Sequence, residues 1–183
     1  GIEFTYMRGE TGDFWLPETM GGGVAWLDYD GDGRLDLYFV QGCQLPEDHS
    51  GQFAAVLYRN AGSGRWEPVP QDVAPSNAGY GMGVAVGDVN DDGFEDIYVT
   101  NYGPDTFYQN NGDGTFREVT RAAGLGCPLW STSAAFGDLD QDGDLDLYVA
   151  TYVHFDPEIT CADPFTHKHQ YCGPDYYKAQ DDV

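Results

Sequence analysis

Positive charge is scarce in this sequence. Lys and Arg together number 8 against 31 Asp and Glu, which gives a formal net charge of −23 over 183 residues. Such an acidic chain repels nucleic acid phosphates and anionic membranes, so both are unfavourable partners. The acids also fall in clusters, and clustered carboxylates repel one another unless a cation neutralises them.

Long hydrophobic runs are also lacking. No segment approaches the roughly 20 apolar residues that a membrane-spanning helix needs, so no membrane span is predicted. Glycines, β-branched residues and turn signals interrupt every stretch before a helical pattern accumulates. The sequence contains no G-x-S-x-G, H-E-x-x-H or P-loop motif. These absences favour an all-β protein that is not an enzyme.

Three related segments recur along the chain. They read GGGVAWLDYDGDGRLDLYFV, GYGMGVAVGDVNDDGFEDIYVT and STSAAFGDLDQDGDLDLYVA, and they start at Gly21, Gly79 and Ser131. Their first aspartates are 60 and 50 residues apart, which is near the period of propellers and solenoids. The repeats predict a row of equivalent structural units.

A hairpin signal follows each of the first two copies. The segments VLYRNAGSGRWEPV from Val56 and TFYQNNGDGTFREV from Thr106 place short β-forming stretches around an Asn- and Gly-rich turn. A complete repeat therefore yields four strands, as in a propeller blade. We predict one partial β-propeller domain over residues 1–183, with repeats at about 21–70, 79–120 and 131–183. The last blade is expected to be incomplete and the domain to be part of a larger propeller.

Each repeat contains one acidic loop that fits the pattern D-x-[DN]-x-D-G-x-x-D. Oxygen ligands at alternating positions of a tight loop suit calcium, which takes six to eight hard oxygens. The pattern predicts three calcium sites with side-chain ligands at positions 1, 3, 5 and 9 and a backbone carbonyl at position 7. The side-chain ligands are Asp28, Asp30, Asp32 and Asp36; Asp88, Asn90, Asp92 and Asp96; and Asp138, Asp140, Asp142 and Asp146. The carbonyls belong to Arg34, Phe94 and Asp144.

Acidic loops of this kind also occur in EF-hands and in surface turns that hold no ion. An EF-hand has a bidentate Glu at position 12 between two helices, whereas position 12 here is Phe39, Val99 or Val149 and the flanks are strand-like. That alternative is excluded. Asp- and Gly-rich surface turns without an ion remain the second alternative, although three matching loops in register favour the metal.

These motifs resemble the FG-GAP/VCBS repeat family. LPETMGGGVAWLDYDGDGRLDLYFVQG and FYQNNGDGTFREVTRAAGLG are most similar to secreted cartilage-acidic-protein-like members and more distantly to the integrin α propeller. The resemblance implies an exported propeller, commonly of seven blades, that binds calcium in these loops. The sequence departs from the family pattern by lacking its Gly-Ala-Pro element.

The resemblance and the acidic loops together predict a calcium-binding structural or interaction module that is extracellular or at the cell surface, with the periplasm as an alternative. Its expected partners are a protein, a carbohydrate or further copies of itself, as in an extracellular filament. The alternative function is the propeller portion of a secreted carbohydrate-active enzyme or oxidoreductase.

A long insertion at residues 152–180 carries two of the four cysteines. Cys161 and Cys172 are predicted to form a disulfide, and Cys43 and Cys127 are candidates for a second one. A competing interpretation joins Cys161, His167, His169 and Cys172 into a soft-metal site. Since the amino terminus has neither an initiator Met nor a signal-peptide core, the chain is expected to be a processed or excised piece. Trp26 and Trp66, within predicted strands, are expected to fill the space between blades.

Overall fold

The computed structural model describes residues 1–45 and 53–182 and confirms the all-β prediction. Over this part of the chain, fourteen short β-strands are accompanied by two 3₁₀ helices, Leu16–Thr19 and Pro174–Tyr176. All strand pairs are antiparallel. The strands form sheets that match propeller blades, and the described residues do not close a ring.

Blades 1 and 2 are four-stranded sheets with the strands in chain order. Blade 1 contains β1 (Val24–Leu27), β2 (Asp36–Phe39), β3 (Val56–Asn60) and β4 (Trp66–Pro68). Blade 2 contains β5 (Tyr80–Gly87), β6 (Asp96–Tyr102), β7 (Thr106–Asn110) and β8 (Phe116–Glu118). The predicted hairpins are β3–β4 and β7–β8, whose turns place the glycines at 62, 64, 112 and 114 at positive φ. Glycine adopts that conformation without a Cβ clash.

Blade 3 has only two strands among the described residues, β9 (Ser131–Gly137) and β10 (Asp146–Thr151). The insertion after β10 forms two further small sheets. One pairs β11 (Val153–His154) with β14 (Lys178–Ala179), and the other pairs β12 (Cys161–Ala162) with β13 (His169–Gln170).

The first strands of the three blades stand side by side, since β1 contacts β5 and β5 contacts β9. Gly83 of β5 shows how close this approach is. A Cβ at Gly83 would lie 2.7 Å from the carbonyl oxygen of Thr132, so no larger residue fits without movement of the backbone. The blades therefore radiate from a crowded inner edge, as in a propeller.

Apolar side chains fill the space between consecutive blades. Leu27, Tyr38 and Leu57 of blade 1 pack against Ile97 and Val99 of blade 2. A second cluster joins blades 2 and 3 and contains Ala85, Tyr98, Phe107 and Val149. A third cluster combines the N-terminal segment, the start of blade 2 and the insertion, with Leu16, Tyr80, Met82, Trp130 and Val153 buried together. These clusters hold the three sheets in fixed order.

Among the described blades, Trp26 does not fill the space between two sheets as expected, and Trp66 is half-buried. Their rings contact each other with centroids 6.0 Å apart, but Trp26 is 54% exposed. Alternation along β1 buries Ala25 and Leu27, of which Leu27 packs against blade 2, and turns Trp26 to the opposite face. Val24 and Trp26, which share that face, are both more than half exposed.

Candidate metal centres

The three acidic segments occupy the same place in each blade, between its first and second strands. We call them loop 1 (residues 28–36), loop 2 (88–96) and loop 3 (138–146). Each reverses the chain between two paired strands, for example where Leu27 pairs with Asp36. The Asp, Asn and Gly residues that turns favour supply this reversal.

One hydrogen-bond pattern organises all three loops. In loop 1 the Asp28 carboxylate accepts the backbone N–H groups of Asp32 at 3.0 Å and Gly33 at 2.8 Å. The Asp32 carboxylate accepts the N–H of Arg34 at 3.0 Å. The corresponding bonds in loops 2 and 3 join Asp92 and Gly93 to Asp88, Phe94 to Asp92, Asp142 and Gly143 to Asp138, and Asp144 to Asp142. The backbone thus holds carboxylates at positions 1 and 5 in equivalent places.

Two positions of each loop have left-handed backbone. Position 6 is glycine throughout, and Gly33, Gly93 and Gly143 have φ of 81°, 91° and 100°. Position 4 is also left-handed, with φ of 69° at Gly31, 55° at Asp91 and 63° at Gln141. The sequence interpretation missed position 4, where only Gly31 signalled it. Non-glycine residues are strained there.

The carboxylates converge in loops 1 and 3. One oxygen from each of Asp28, Asp30 and Asp32 lies within 4.8 Å of the others, and Asp138, Asp140 and Asp146 form a similar group. Loop 2 has Asn90 at position 3, and the Asn90 amide donates to the Asp92 carboxylate at 2.8 Å. These two groups contain six of the twelve predicted side-chain ligands. Among the described residues, the three predicted aspartate ligands of loop 2 form no such group, and Asp36 and Asp142 lie outside the groups of their loops.

The last aspartate of loops 1 and 2 has a second role. Asp36 accepts the Asn60 N–H at 2.7 Å, and Asp96 accepts the Asn110 N–H at 2.8 Å, so each aspartate ties its loop to the third strand of the blade. Both side chains are buried, and this burial raises the pKa of each carboxyl group. Asp146, at the same position of loop 3, is exposed.

The residues at position 7 differ in their surroundings. Arg34 pairs with Asp32 and donates from Nε to the Asn60 carbonyl at 2.7 Å. The ring of Phe94 lies so close to the second hairpin that a Cβ at Gly112 would meet it at 2.8 Å. Asp144 is exposed. The residues at position 7 are predicted to bind calcium only through their backbone carbonyls. Their side chains can therefore differ between the loops.

Arginine neutralises part of the charge of loop 1. Arg59 of β3 donates from Nε to Asp30 at 2.5 Å and from Nη2 to Asp32 at 2.8 Å. Over residues 1–45 and 53–182, the ion pairs at the acidic loops involve only Arg34 and Arg59. Among the described residues, no Lys or Arg side chain pairs with loops 2 and 3, so the repulsion between their carboxylates is less compensated than in loop 1.

Loop 1 is also fixed to the neighbouring blade. Glu95 of blade 2 accepts the Asp28 N–H at 2.9 Å, and Asn110 donates from its amide to the Tyr29 carbonyl at 3.0 Å. The Tyr29 ring stacks on Phe116 with centroids 6.3 Å apart. Val89 of loop 2 likewise packs on the cluster between blades 2 and 3. The geometry of a loop is therefore coupled to the packing of the next blade.

A family model described as the FG-GAP-like repeat matches residues 46–99 and 88–149, which is more than half of the chain. The chain belongs to the FG-GAP-like repeat family. A search of curated proteins finds no match. Within the described part of this FG-GAP-like chain, no helix has the length and apolar character needed to cross a membrane.

The donor set of the FG-GAP-like loops fits a hard divalent cation. Each loop offers three or four carboxylates, and loop 2 adds the Asn90 amide oxygen. Calcium prefers oxygen ligands of this kind and tolerates irregular geometry. The residues that would hold it are the aspartates at positions 1, 3, 5 and 9 together with Asn90.

For the FG-GAP-like chain, the sequence predicts a disulfide between Cys161 and Cys172 and offers Cys43 and Cys127 as candidates for a second one. A disulfide joins Cys161 to Cys172, with Cα atoms 5.3 Å apart. Because these sulfurs are bonded to each other, they do not offer the thiolates that a soft-metal site with His167 and His169 requires. Cys43 is buried and Cys127 is half-buried. Both are described, and the structure does not join them, so this pairing is corrected.

Proposed function

We propose that this FG-GAP-like chain is a calcium-stabilised extracellular module with a structural or interaction role. The observation that carries the proposal is the repetition of one hydrogen-bonded loop geometry in all three blades. In addition, backbone groups of loop 1 form hydrogen bonds with the side chains of Glu95 and Asn110 of blade 2. An ion in a loop would lower carboxylate repulsion there and stabilise the packing between blades.

The disulfide supports the extracellular setting, because disulfides persist in oxidising compartments. Similarity of the opening motifs to cartilage-acidic-protein-like secreted proteins favours the same setting. Partners would be proteins, carbohydrates or further copies of the chain, since the charge of −23 disfavours nucleic acid. We propose binding rather than catalysis because the clustered carboxylates already have a role as ligands.

Calcium titration with thermal melting tests this proposal. We expect isothermal titration calorimetry of the chelator-treated chain to show three calcium ions bound, and millimolar calcium to raise Tm by several degrees or more. The variants Asp28→Asn, Asp88→Asn and Asp138→Asn should each remove one ion. Asp175→Asn is the matched control, because Asp175 is an exposed aspartate in the insertion.

Two outcomes of these measurements would contradict the proposed calcium role. If no heat of calcium binding is measured and Tm is the same in calcium and in chelator, the loops are turns without an ion. A stoichiometry unaffected by all three loop variants would place bound calcium elsewhere. Either result would overturn the proposed role of the loops.

A further inference from the structure

Loops 1 and 2 touch each other across the boundary between blades 1 and 2. The side chain of Glu95, at position 8 of loop 2, accepts the backbone N–H of Asp28, at position 1 of loop 1, at 2.9 Å. The ring of Phe94, at position 7, lies beside position 4 of loop 1, since a Cβ at Gly31 would be 3.4 Å from it. Two consecutive residues of loop 2 therefore contact loop 1 directly.

Glu95 holds a residue that organises the whole of loop 1. While the Asp28 backbone donates to Glu95, the Asp28 carboxylate accepts the N–H groups of Asp32 at 3.0 Å and Gly33 at 2.8 Å. These bonds set the turn of loop 1 and the direction of a predicted calcium ligand. Glu95 therefore acts on loop 1 through Asp28, as a positioning residue and not as a ligand.

The backbone of Glu95 belongs equally to loop 2. It lies between Phe94 and Asp96, which are predicted to bind calcium through a carbonyl and a carboxylate. The side-chain amide of Asn110 donates to the Glu95 carbonyl at 3.4 Å and to the Tyr29 carbonyl of loop 1 at 3.0 Å. A cation that orders positions 7 and 9 of loop 2 would therefore also order the residue between them, together with its contact to loop 1.

The boundary between blades 2 and 3 has a different residue at the corresponding place. Position 8 of loop 3 is Leu145, whose hydrocarbon side chain cannot accept a hydrogen bond. Leu145 lies beside the start of loop 2, since a Cβ at Gly87 would be 3.1 Å from its Cδ1 atom. Position 7 is the exposed Asp144, whereas Phe94 is half-buried. The chain therefore contains one pair of neighbouring loops with a carboxylate link at position 8 and one pair with leucine there.

We propose that Glu95 couples the calcium sites of loops 1 and 2, so that an ion in either loop raises the calcium affinity of the other, while loop 3 binds independently. This inference rests on the proposed calcium role of the loops. Among the described residues, no Lys or Arg pairs with loop 2, so its carboxylates repel one another when the loop is empty. A cation removes this repulsion and fixes the acceptor that orients Asp28. Thermodynamic linkage makes the coupling equal in both directions.

A calcium titration followed by NMR of backbone amides measures each loop of the full chain separately. Gly33, Gly93 and Gly143 are the reporters, because each amide donates to the first aspartate of its own loop. Asp88→Asn, which disables loop 2, should weaken calcium binding at Gly33 about fivefold or more. Asp138→Asn, which disables loop 3, should leave binding at Gly33 unchanged. Potassium chloride at about 0.5 M shortens the screening length to about 4 Å and so suppresses through-space effects of the lost charges.

The reciprocal measurement checks the linkage without altering loop 2. Asp28→Asn, which disables loop 1, should weaken calcium binding at Gly93 by the same factor that Asp88→Asn causes at Gly33. Binding at Gly143 should be unaffected by either variant.

Substitutions at Glu95 test whether the coupling passes through this side chain. Glu95→Leu copies blade 3 and should abolish the coupling, so that adding Asp88→Asn to it causes no further loss of affinity at Gly33. Glu95→Gln keeps an oxygen that accepts the Asp28 N–H and should retain the coupling. Glu158→Leu is the matched control, because Glu158 is an exposed glutamate in the insertion, and it should behave as the parent chain does.

The same titrations separate failure of the coupling from failure of the calcium role. If the Gly33, Gly93 and Gly143 amides do not respond to calcium in the parent chain, the calcium role itself is wrong. If they respond but Asp88→Asn leaves the affinity at Gly33 unchanged, only the coupling is overturned. It is also overturned if Asp88→Asn has the same effect in the parent chain and in Glu95→Leu, since the link would then not pass through Glu95.

Discussion

The guanidinium of Arg59 donates to the carboxylate of Asp30 at 2.5 Å, so the third strand of blade 1 neutralises loop 1. The corresponding residue of blade 2 is Gln109, which accepts from Arg117 instead. Loop 1 therefore has a built-in cation and loop 2 does not. This difference between repeats of one chain means that the loops should respond differently to calcium.

Replacing Arg59 by Gln, as found in blade 2, should raise the calcium affinity of loop 1. The Arg59 guanidinium bonds to Asp30 and Asp32 oxygens that calcium would also need. Its removal frees Asp30 and leaves Asp32 paired with Arg34. In chelator the same variant should lower Tm, because the carboxylates lose their counter-charge. Calorimetry and melting measure the two effects. Arg65→Gln is the control, since among the described residues Arg65 forms its ion pair with the exposed Glu67, away from the acidic loops. An unchanged calcium affinity in Arg59→Gln would refute the competition.

Removing one carboxylate should have opposite effects in loops 1 and 3 when calcium is absent. Asp140→Asn removes a charge from an acidic group without an arginine, so it should raise Tm in chelator by a few degrees. Asp30→Asn removes one of the two carboxylates that Arg59 pairs with, so it weakens this charge pairing and should lower Tm. Both variants should weaken calcium binding. The prediction is contradicted if the two Tm changes in chelator have the same sign.

Backbone strain at position 4 predicts a stabilising substitution. Gln141 has φ of 63°, whereas loop 1 has Gly31 at the same position with φ of 69°. Gln141→Gly should raise the free energy of unfolding by about 0.5–1 kcal/mol, because the relief of left-handed strain exceeds the added freedom of the unfolded chain. Urea denaturation measures it. The reverse change, Gly31→Gln, should destabilise by a similar amount, and a lower stability of Gln141→Gly would disprove the assignment of strain.

Asp105 should give the folding stability a distinct pH dependence. Its carboxylate accepts from Tyr98 at 2.9 Å, Ser131 at 2.7 Å and the Asn101 N–H at 2.8 Å. Burial raises the pKa of Asp105 from 3.8 to about 6 even though these hydrogen bonds lower it. The native state therefore holds the proton more tightly than the unfolded state. Its stabilising contribution is complete below about pH 3.8 and is lost as pH rises through 6.

Asp105→Asn removes this titration while keeping a side chain that accepts and donates hydrogen bonds. Relative to the parent chain, the variant should gain stability between pH 4 and 7, by up to about 3 kcal/mol. Urea denaturation in calcium at several pH values measures the difference. Asp175→Asn, at an exposed site, should follow the parent curve. A constant difference between Asp105→Asn and parent at all pH values would show that Asp105 does not titrate in this range.

Much of the architecture could be predicted because its signals are local. The turn at Asn111–Gly112 lies between strands of the predicted hairpin, and the loop bonds from Gly33 to Asp28 span only five residues. Such bonds need only the right residue types at short spacing and a glycine where φ is positive. The all-β prediction and its four-stranded blades rest on these signals, and the complete sheets of blades 1 and 2 agree with them.

Other features depend on contacts between distant segments. Glu18 is buried and accepts from Tyr171, which lies 153 residues away. Alternation along β1 predicts that Trp26 and Leu27 lie on opposite faces of the sheet. It does not predict which of the two faces blade 2 covers, and this decides that Trp26 is exposed. No spacing in the sequence encodes these contacts, because they require two elements that are folded and packed against each other.

The repeat, the acidic loops and the hairpins follow from local sequence, since short-range hydrogen bonds and backbone preferences specify each of them. Which carboxylates are neutralised, buried or exposed depends instead on how the blades pack. Arg59 reaches Asp30 because β3 lies beside loop 1, and Asp105 is buried because blade 3 brings Ser131 against it. The physical reason is that charge pairing and desolvation depend on distances in space, which stacking of the blades sets.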